Sequence, residues 1–219
     1  RDHRQPRTGK KRHLPRGQQI PTARKRLCIF GGSFNPIHLG HIGIARAVVE
    51  QRLSDEVLLM VSPQNPWKEE SDLAPEAARL WWASEAVREE PHIEASNFEF
   101  SLPRPSFTWR TLEALRSIYP HCRLQLLIGG DNWRSFDHWA HYEEILATTD
   151  IIVYPRQGTV EPLKGHEKAK VYVLNAPLFP WSSTQIRTAI QRGENVKERM
   201  PATILEDVVS TYTKVLHNE

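Results

Sequence analysis

The sequence predicts one α/β domain, a doubly wound and mostly parallel sheet with helices on both faces. Short runs rich in Leu, Ile and Val alternate along the chain with longer segments whose apolar residues recur every three or four positions. That alternation is the pattern of strands and helices in turn. Most of the strand candidates are continuously apolar, as expected where both faces of a parallel sheet are covered. No repeat or low-complexity linker interrupts residues 27 to 217.

The elements follow in order. "RLCIF" (26–30) is a buried strand, and "HLGHIGIARAVVEQRL" is a helix with apolar residues at 39, 42, 45, 48, 49 and 53 on one face. "DEVLLMVSP" is a second strand closed by Pro63, and "PEAARLWWASEAVREE" is a helix opened by a proline. "IEASNFEF" alternates like a third strand, and "SFTWRTLEALRSIYP" is a helix stopped by Pro120. "RLQLLIGGD" is a fourth strand ending in glycines, and "HYEEILATTD" a short helix. Strands "IIVYP" and "VYVLNA" precede the last helices, "SSTQIRTAIQRG" and "PATILEDVVSTYTKVL". Most of the seven tryptophans, Trp81 and Trp82 included, are expected in the core. Sheets of this class bind ligands beyond the carboxyl ends of their strands. The loops of interest are therefore 31–38, 62–68, 101–108 and 129–135.

A chain of 219 residues with 39% hydrophobic and 9% aromatic residues can bury one good core. No run approaches the roughly 18–20 apolar residues of a membrane span. The amino-terminal charges are followed by no apolar segment, unlike a secretory signal. Cys28 and Cys122 are the only cysteines, with neither a disulfide framework nor CxxC spacing, so the expected location is cytoplasmic.

The net charge of +3 hides an asymmetry. Residues 1–26 hold ten Lys/Arg against Asp2 alone, while the remainder holds 19 basic and 25 acidic residues. The expected division is a basic, disordered tail over 1–26 and one domain over 27–219. Contact with nucleic acid falls to the tail if it occurs at all.

Two stretches carry chemistry. In "GGSFNPIHLGH", Gly31 and Gly32 let the backbone turn sharply and approach a ligand. A helix starting near Pro36 offers unpaired N–H groups and a positive dipole end, with His38 and His41 three apart on one face. Neither a Walker loop nor G-x-G-x-x-G is present. No third ligand has a spacing that would make the histidines a metal site. In "WSSTQIRTAI", Ser182 and Ser183 are good N-caps, Thr184 adds a hydroxyl and Arg187 follows one turn later. Taken singly, each reads more readily as a capped helix with polar surface residues. Two such anion sites in one small domain suggest a polyphosphate gripped from both ends.

These stretches resemble the GSFxPxHxGH and SSTxIR signatures of the HxGH nucleotidyltransferases, and the resemblance implies their Rossmann-like fold. "VSPQNPWK", "SFTWRTLEAL" and "LIGGDNWRSFDHW" are similar to segments of the nicotinate-nucleotide adenylyltransferase family in particular. The resemblance spans about residues 27 to 216. It implies adenylyl transfer from ATP to nicotinate mononucleotide in NAD biosynthesis, with Mg²⁺ accompanying ATP. It further implies in-line transfer without a covalent enzyme intermediate, consistent with neither Cys28 nor Cys122 sitting in a motif with a histidine partner.

By position, the resemblance places His38, His41 and Arg187 in catalysis, with His41 foremost at the transition state. ATP would be held by Gly31, Gly32, Ser33, Phe34, Gly129, Asp131, Ser182, Ser183 and Thr184 together with those three. Asp131 would meet a ribose, and Ser183 and Arg187 the β and γ phosphates. The mononucleotide would be held by Asn65, Lys68, Thr108, Trp133 and Trp139, with Thr108 donating to the nicotinate carboxylate and Trp139 stacking on the pyridine ring. Three positions depart from the family pattern: Trp67 replaces a histidine, Phe107 a tyrosine, and Asn35 an aspartate near the triphosphate. Another adenylyltransferase of the superfamily, acting on nicotinamide mononucleotide above all, and a nucleic-acid-binding protein working through the tail are the alternatives. Homo-oligomerisation is left open.

Overall fold

The structure, a computed structural model, describes residues 24–67, 72–155, 160–176 and 178–216. The basic segment expected to be disordered lies outside these residues up to position 23. The chain runs β1 (Lys25–Gly32), α1 (Leu39–Glu50), β2 (Glu56–Val61), α2 (Glu76–Ala86) and β3 (Ile93–Ser96). A 3-10 turn (Phe98–Ser101), α3 (Thr108–Ile118), β4 (Cys122–Gly129) and α4 (Gly130–Arg134) follow. A second 3-10 turn (Phe136–His138), α5 (Tyr142–Thr148), β5 (Asp150–Tyr154), β6 (Val171–Val173), α6 (Ser183–Gln191) and α7 (Ala202–Leu216) complete it.

All strand pairs are parallel, in the order β3-β2-β1-β4-β5-β6. The chain builds outward from β1 to β3, then crosses back to lay β4 on the other side of β1. The order reverses between β1 and β4, and a crevice opens there beyond their carboxyl ends. The loops after β1 and β4 are two of those singled out from the sequence.

Alternate residues of β1 enter two cores. Cys28 and Phe30 join Ile42, Ala45 and Val48 of α1, Trp82 of α2, Ile186 of α6, and Ile204, Val208 and Tyr212 of α7. Leu27 and Ile29 join Leu112 and Leu115 of α3, Trp133, Phe136 and Ile145 on the opposite face. Burying a ring such as that of Trp82, which is fully inaccessible, contributes on the order of 5 kcal/mol. Its Nε1 donates to Asp207 Oδ2 at 2.6 Å, tying α2 to α7. Among the described residues no helix is long and apolar enough to cross a membrane.

Three expectations change. Trp81 is 48% exposed, because Trp82 takes the inward position on α2. "IEASNFEF" splits into β3 and a 3-10 turn, where Phe98 N donates to Ser96 Oγ and ends the strand. Glu99 in that turn is buried and receives Thr111 Oγ1 at 2.6 Å; burial pushes its carboxyl pKa up, against the pull of that hydrogen bond. The folded chain begins before residue 27, since Arg26 lies in β1 and its amide donates to Asp55 Oδ2 at 2.8 Å.

Candidate active site

The loop after β1 turns at an unexpected residue. Gly31 and Gly32 remain in the strand, and the left-handed conformation belongs to Phe34, with φ 47°. The Phe34 ring is buried and meets His41 edge-on at 5.0 Å, so only its backbone is available to a nucleotide. A Cβ on Gly31 would meet nothing within 4 Å, so this glycine borders open space.

Asn35 follows, joined to Pro36 by a cis peptide, and is buried. Its Nδ2 donates to Asp72 O at 3.0 Å, and its Oδ1 receives Ala74 N at 3.0 Å and the Tyr212 hydroxyl. An amide can donate and accept in this way, whereas a carboxylate only accepts. Asn35 therefore pins this loop to the approach to α2 and to α7, a structural role in place of a missing charge near phosphates.

His38 is the N-cap of α1, and its Nδ1 receives Gly40 N at 3.0 Å. His41 Nδ1 in turn receives His38 N at 3.1 Å, closing a capping box. A ring nitrogen that accepts from an amide carries no proton, so in the neutral rings the proton sits on Nε2. Burial, and next the neighbouring His38, holds His41 well below the ordinary imidazole range. The two rings stack at 3.7 Å between centroids, and Phe179 stacks on His38 at 4.9 Å. Leu39 N donates to Arg199 O at 2.9 Å. The first-turn amides of α1 are therefore already used, contrary to the expectation that they remain open. This helix tip offers imidazole N–H groups instead.

The tip of α6 is different. Ser182 caps it, its Oγ receiving Gln185 N at 3.1 Å. Ser183 is the first helical residue, and its hydroxyl donates to Pro36 O at 2.9 Å. Arg187 is largely buried; its Nη1 donates to Asn35 O at 2.7 Å and its Nη2 to Asp72 Oδ2 at 3.0 Å and Thr184 Oγ1 at 3.3 Å. The amides of Ser183 and Thr184 meet no acceptor among the described residues. Ser183 and Arg187 thus bind the loop leading into α1, and the two helix starts meet at the switch point of the sheet.

A cleft of about 730 Å³ opens over this junction. His38, His41, Ser182 and Gln185 line it beside Gly130, Asp131 and Arg134 from the start of α4, with Phe179 and Trp181 as an aromatic wall. Gly129 ends β4, and a Cβ there would stand 3.2 Å from the Tyr154 ring. Asp131 is exposed and pairs with Arg134 one turn on, instead of capping the helix.

Ser33 and Asn65 line a second hollow of about 230 Å³ with Ser62, Ser106 and Arg79. Asn65 Oδ1 receives Trp67 N at 2.9 Å, and Trp67 is 80% exposed. Thr108 opens α3 and is half-buried. Trp109 meets His141 at a tilt, 4.3 Å between centroids, which brings the start of α3 against the segment carrying Trp139. Trp139 is half-buried, with Phe136 at 4.9 Å. Trp133, expected to touch the mononucleotide, is a core residue whose Nε1 donates to Glu161 O at 2.8 Å. Lys68 lies outside the described residues.

Several site residues were not anticipated. Arg79 is fully buried in α2 and donates to Ala74 O, Ser33 O and Ser62 O at 2.7 to 2.9 Å, locking together the loops after β1 and β2. A cation on the Trp82 and Ala83 face of an amphipathic helix was its one sequence signal. Asp72, Tyr212, Phe179 and Trp181 reach the site through pairings more than a hundred residues apart, or through a loop without pattern, and carry no such signal.

Residues 29–189 match the family model described as cytidylyltransferase-like. The chain is 40% identical over 188 residues to a Bacteroides fragilis (strain YCH46) protein named "Probable nicotinate-nucleotide adenylyltransferase", covering 85% of this chain and 92% of the relative. A Bacteroides thetaiotaomicron protein of the same name is 43% identical over 169 residues, covering 77% and 83%. In fold the chain is similar to Plasmodium falciparum nicotinic acid mononucleotide adenylyltransferase complexed with NaAD. That match has a TM-score of 0.71 at 18% identity and covers 88% of this chain and 98% of the other.

Proposed function

The chain belongs to the cytidylyltransferase-like family and, within it, to the nicotinate-nucleotide adenylyltransferases, and on that premise we propose that it joins ATP to nicotinate mononucleotide in NAD biosynthesis. A phosphate oxygen of the mononucleotide attacks the α-phosphorus of ATP, the bond from that phosphorus to the bridging oxygen breaks, and pyrophosphate leaves. Such transfer depends on positioning two anions and stabilising charge on their oxygens.

The observation that carries this reading is the junction of the two helix starts, held by Ser183 on Pro36 O and Arg187 on Asn35 O. The triphosphate lies across it. The open amides of Ser183 and Thr184, at the positive end of α6, take the β and γ oxygens. The Nε2–H groups of His38 and His41 donate from the other side. His41, neutral and held by its capping bond, acts as a fixed donor to charge growing at the α-phosphate. Arg187 exchanges its bond to Asp72 for one to the leaving pyrophosphate. Asp131 accepts from ribose hydroxyls.

Among the described residues no three His, Cys, Asp or Glu side chains are grouped so as to hold a metal ion. Mg²⁺ would accompany ATP as part of the substrate, offsetting charge on its phosphates. The acceptor lies on the Thr108 side, with Thr108 on the nicotinate carboxylate, Trp139 on the ring, and Asn65 towards its phosphate. Pyrophosphate release with ATP and either nicotinate or nicotinamide mononucleotide tests the proposal. Turnover is expected with the nicotinate form in large excess, and preference for the amide would refute the acceptor assignment.

A further inference from the structure

Trp181 stands immediately before the cap of α6 and lines the cleft. One face of its indole is covered, because the Arg199 guanidinium carbon lies 3.3 Å from the ring centroid. This is well inside the roughly 6 Å range of cation–π attraction. The residue is still 38% exposed, and with one face taken by Arg199 its remaining surface is what can meet the cleft it lines. Arg199 Nη1 is buried with no hydrogen-bond partner among the described residues, so the indole is a principal contact of this charge. The carbonyl of Arg199 receives Leu39 N at the start of α1. The indole is thereby fixed from behind to one helix tip while its own chain leads into the other.

Leu178, 76% exposed, and Phe179 extend this apolar wall. A flat aromatic surface, rigidly backed and opening onto a cleft, suits a flat heteroaromatic ring. Two such rings take part in the proposed reaction, and the phosphates decide between them. Ser183 and Thr184, which would hold the β and γ phosphates, lie two and three residues beyond Trp181, whereas Thr108 and Trp139 lie on the other side of the switch point. We propose that Trp181, backed by Arg199, is the stacking platform for the adenine base of ATP, with Arg199 as the positioning residue behind it. The proposal rests on the adenylyl-transfer reading.

The test uses Trp181→Ala, Trp181→Phe, Arg199→Met and Arg199→Lys. KM for each substrate is measured, together with calorimetric binding of ATP and of inorganic tripolyphosphate, a probe with phosphates and no base. Loss of one base–aromatic stack raises the KM for ATP about 5- to 100-fold in Trp181→Ala. The KM for the mononucleotide and the affinity for tripolyphosphate stay unchanged, and Trp181→Phe recovers most of the loss. Arg199→Met weakens ATP about 2- to 30-fold, the range for one cation–π contact, and Arg199→Lys restores part of it.

An unchanged KM for ATP in Trp181→Ala, or an equal weakening of ATP and tripolyphosphate, overturns the platform while leaving the reaction standing. A wild-type protein that transfers nothing to nicotinate mononucleotide overturns the reaction. The contrast between ATP and tripolyphosphate binding then still decides the platform.

Discussion

Gly40→Ala sets two effects of opposite sign against each other, and the structure says which wins. Gly40 lies in the first turn of α1, where alanine is intrinsically favoured by about 1 kcal/mol. A Cβ built there would stand 2.6 Å from Phe179 Cδ1, 2.8 Å from His38 Cε1 and 2.9 Å from His38 Nδ1. Carbon pairs are comfortable at about 3.5–4.0 Å, so roughly an ångström must be found. The obstacles are not flexible chain ends: the His38 ring is bonded to Gly40 N and stacked between His41 and Phe179. Overpacking of this kind costs about 1–3 kcal/mol, which exceeds the helix gain over most of its range. A net loss of up to about 2 kcal/mol lowers Tm by up to about 8 °C in a domain of this size. The displaced histidine also loses its aim, and an ångström of misplacement at a reacting centre costs about 10²-fold in rate. Differential scanning fluorimetry and pyrophosphate release read the two effects. A Gly40→Ala protein with unchanged or raised Tm and undiminished kcat would refute the packing account of the histidine stack.

Four further outcomes follow from the same geometry. His41→Ala should reduce kcat about 10²-fold or more, the scale for removing one preorganised donor; full activity at saturating substrates would remove His41 from the chemistry. Trp139→Ala should raise the KM for the mononucleotide more than that for ATP, and an unchanged KM would leave Trp139 as packing for Phe136 alone. The pKa of His41 is depressed below its ordinary 6.5 in the folded state by burial, so below that pH the unfolded chain binds more protons and stability falls as acid is added. Urea midpoints between pH 8 and pH 5 should drop less steeply in His41→Gln, and identical slopes would contradict the buried neutral ring. Burial pushes the Cys28 thiol pKa far up, so a thiol reagent at pH 8 should titrate only Cys122 quickly; two fast thiols would mean that β1 is not where the structure puts it.

The strands and long helices were legible because each is a local pattern: continuous apolar runs for β1, β2, β4 and β5, and three-to-four spacing for α1, α3 and α7. The 3-10 turn at Phe98 was hidden by an alternation that mimics a strand until Ser96 ends it. The short helix α4 escaped because five residues hold too little periodicity to register. Both helix starts could be recognised from hydroxyls, histidines and an arginine, but not the state of their amides. That state depends on ring orientation, since His38 uses a side-chain nitrogen to close the amides of α1 while the amides of Ser183 and Thr184 stay open. Phe34 could not be foreseen as the turning residue beside two glycines, because a left-handed backbone at a bulky residue goes with tertiary burial of its ring, which no local pattern records. Trp181 and Arg199 are eighteen positions apart, in the segments on either side of α6, and only the packed chain makes them neighbours.

The contacts that finish the loop after β1 span nearly the whole polypeptide: Pro36 waits for Ser183, and Asn35 waits for Arg187 and Tyr212. A growing chain emerges from its amino end, so the histidine tip is made well before its counterpart, 147 residues separating Pro36 from Ser183. A ribosome stalled anywhere before α6 displays half a catalyst, unable to act on a nucleotide. Emergence of α6 is thereby the event that closes the loop after β1.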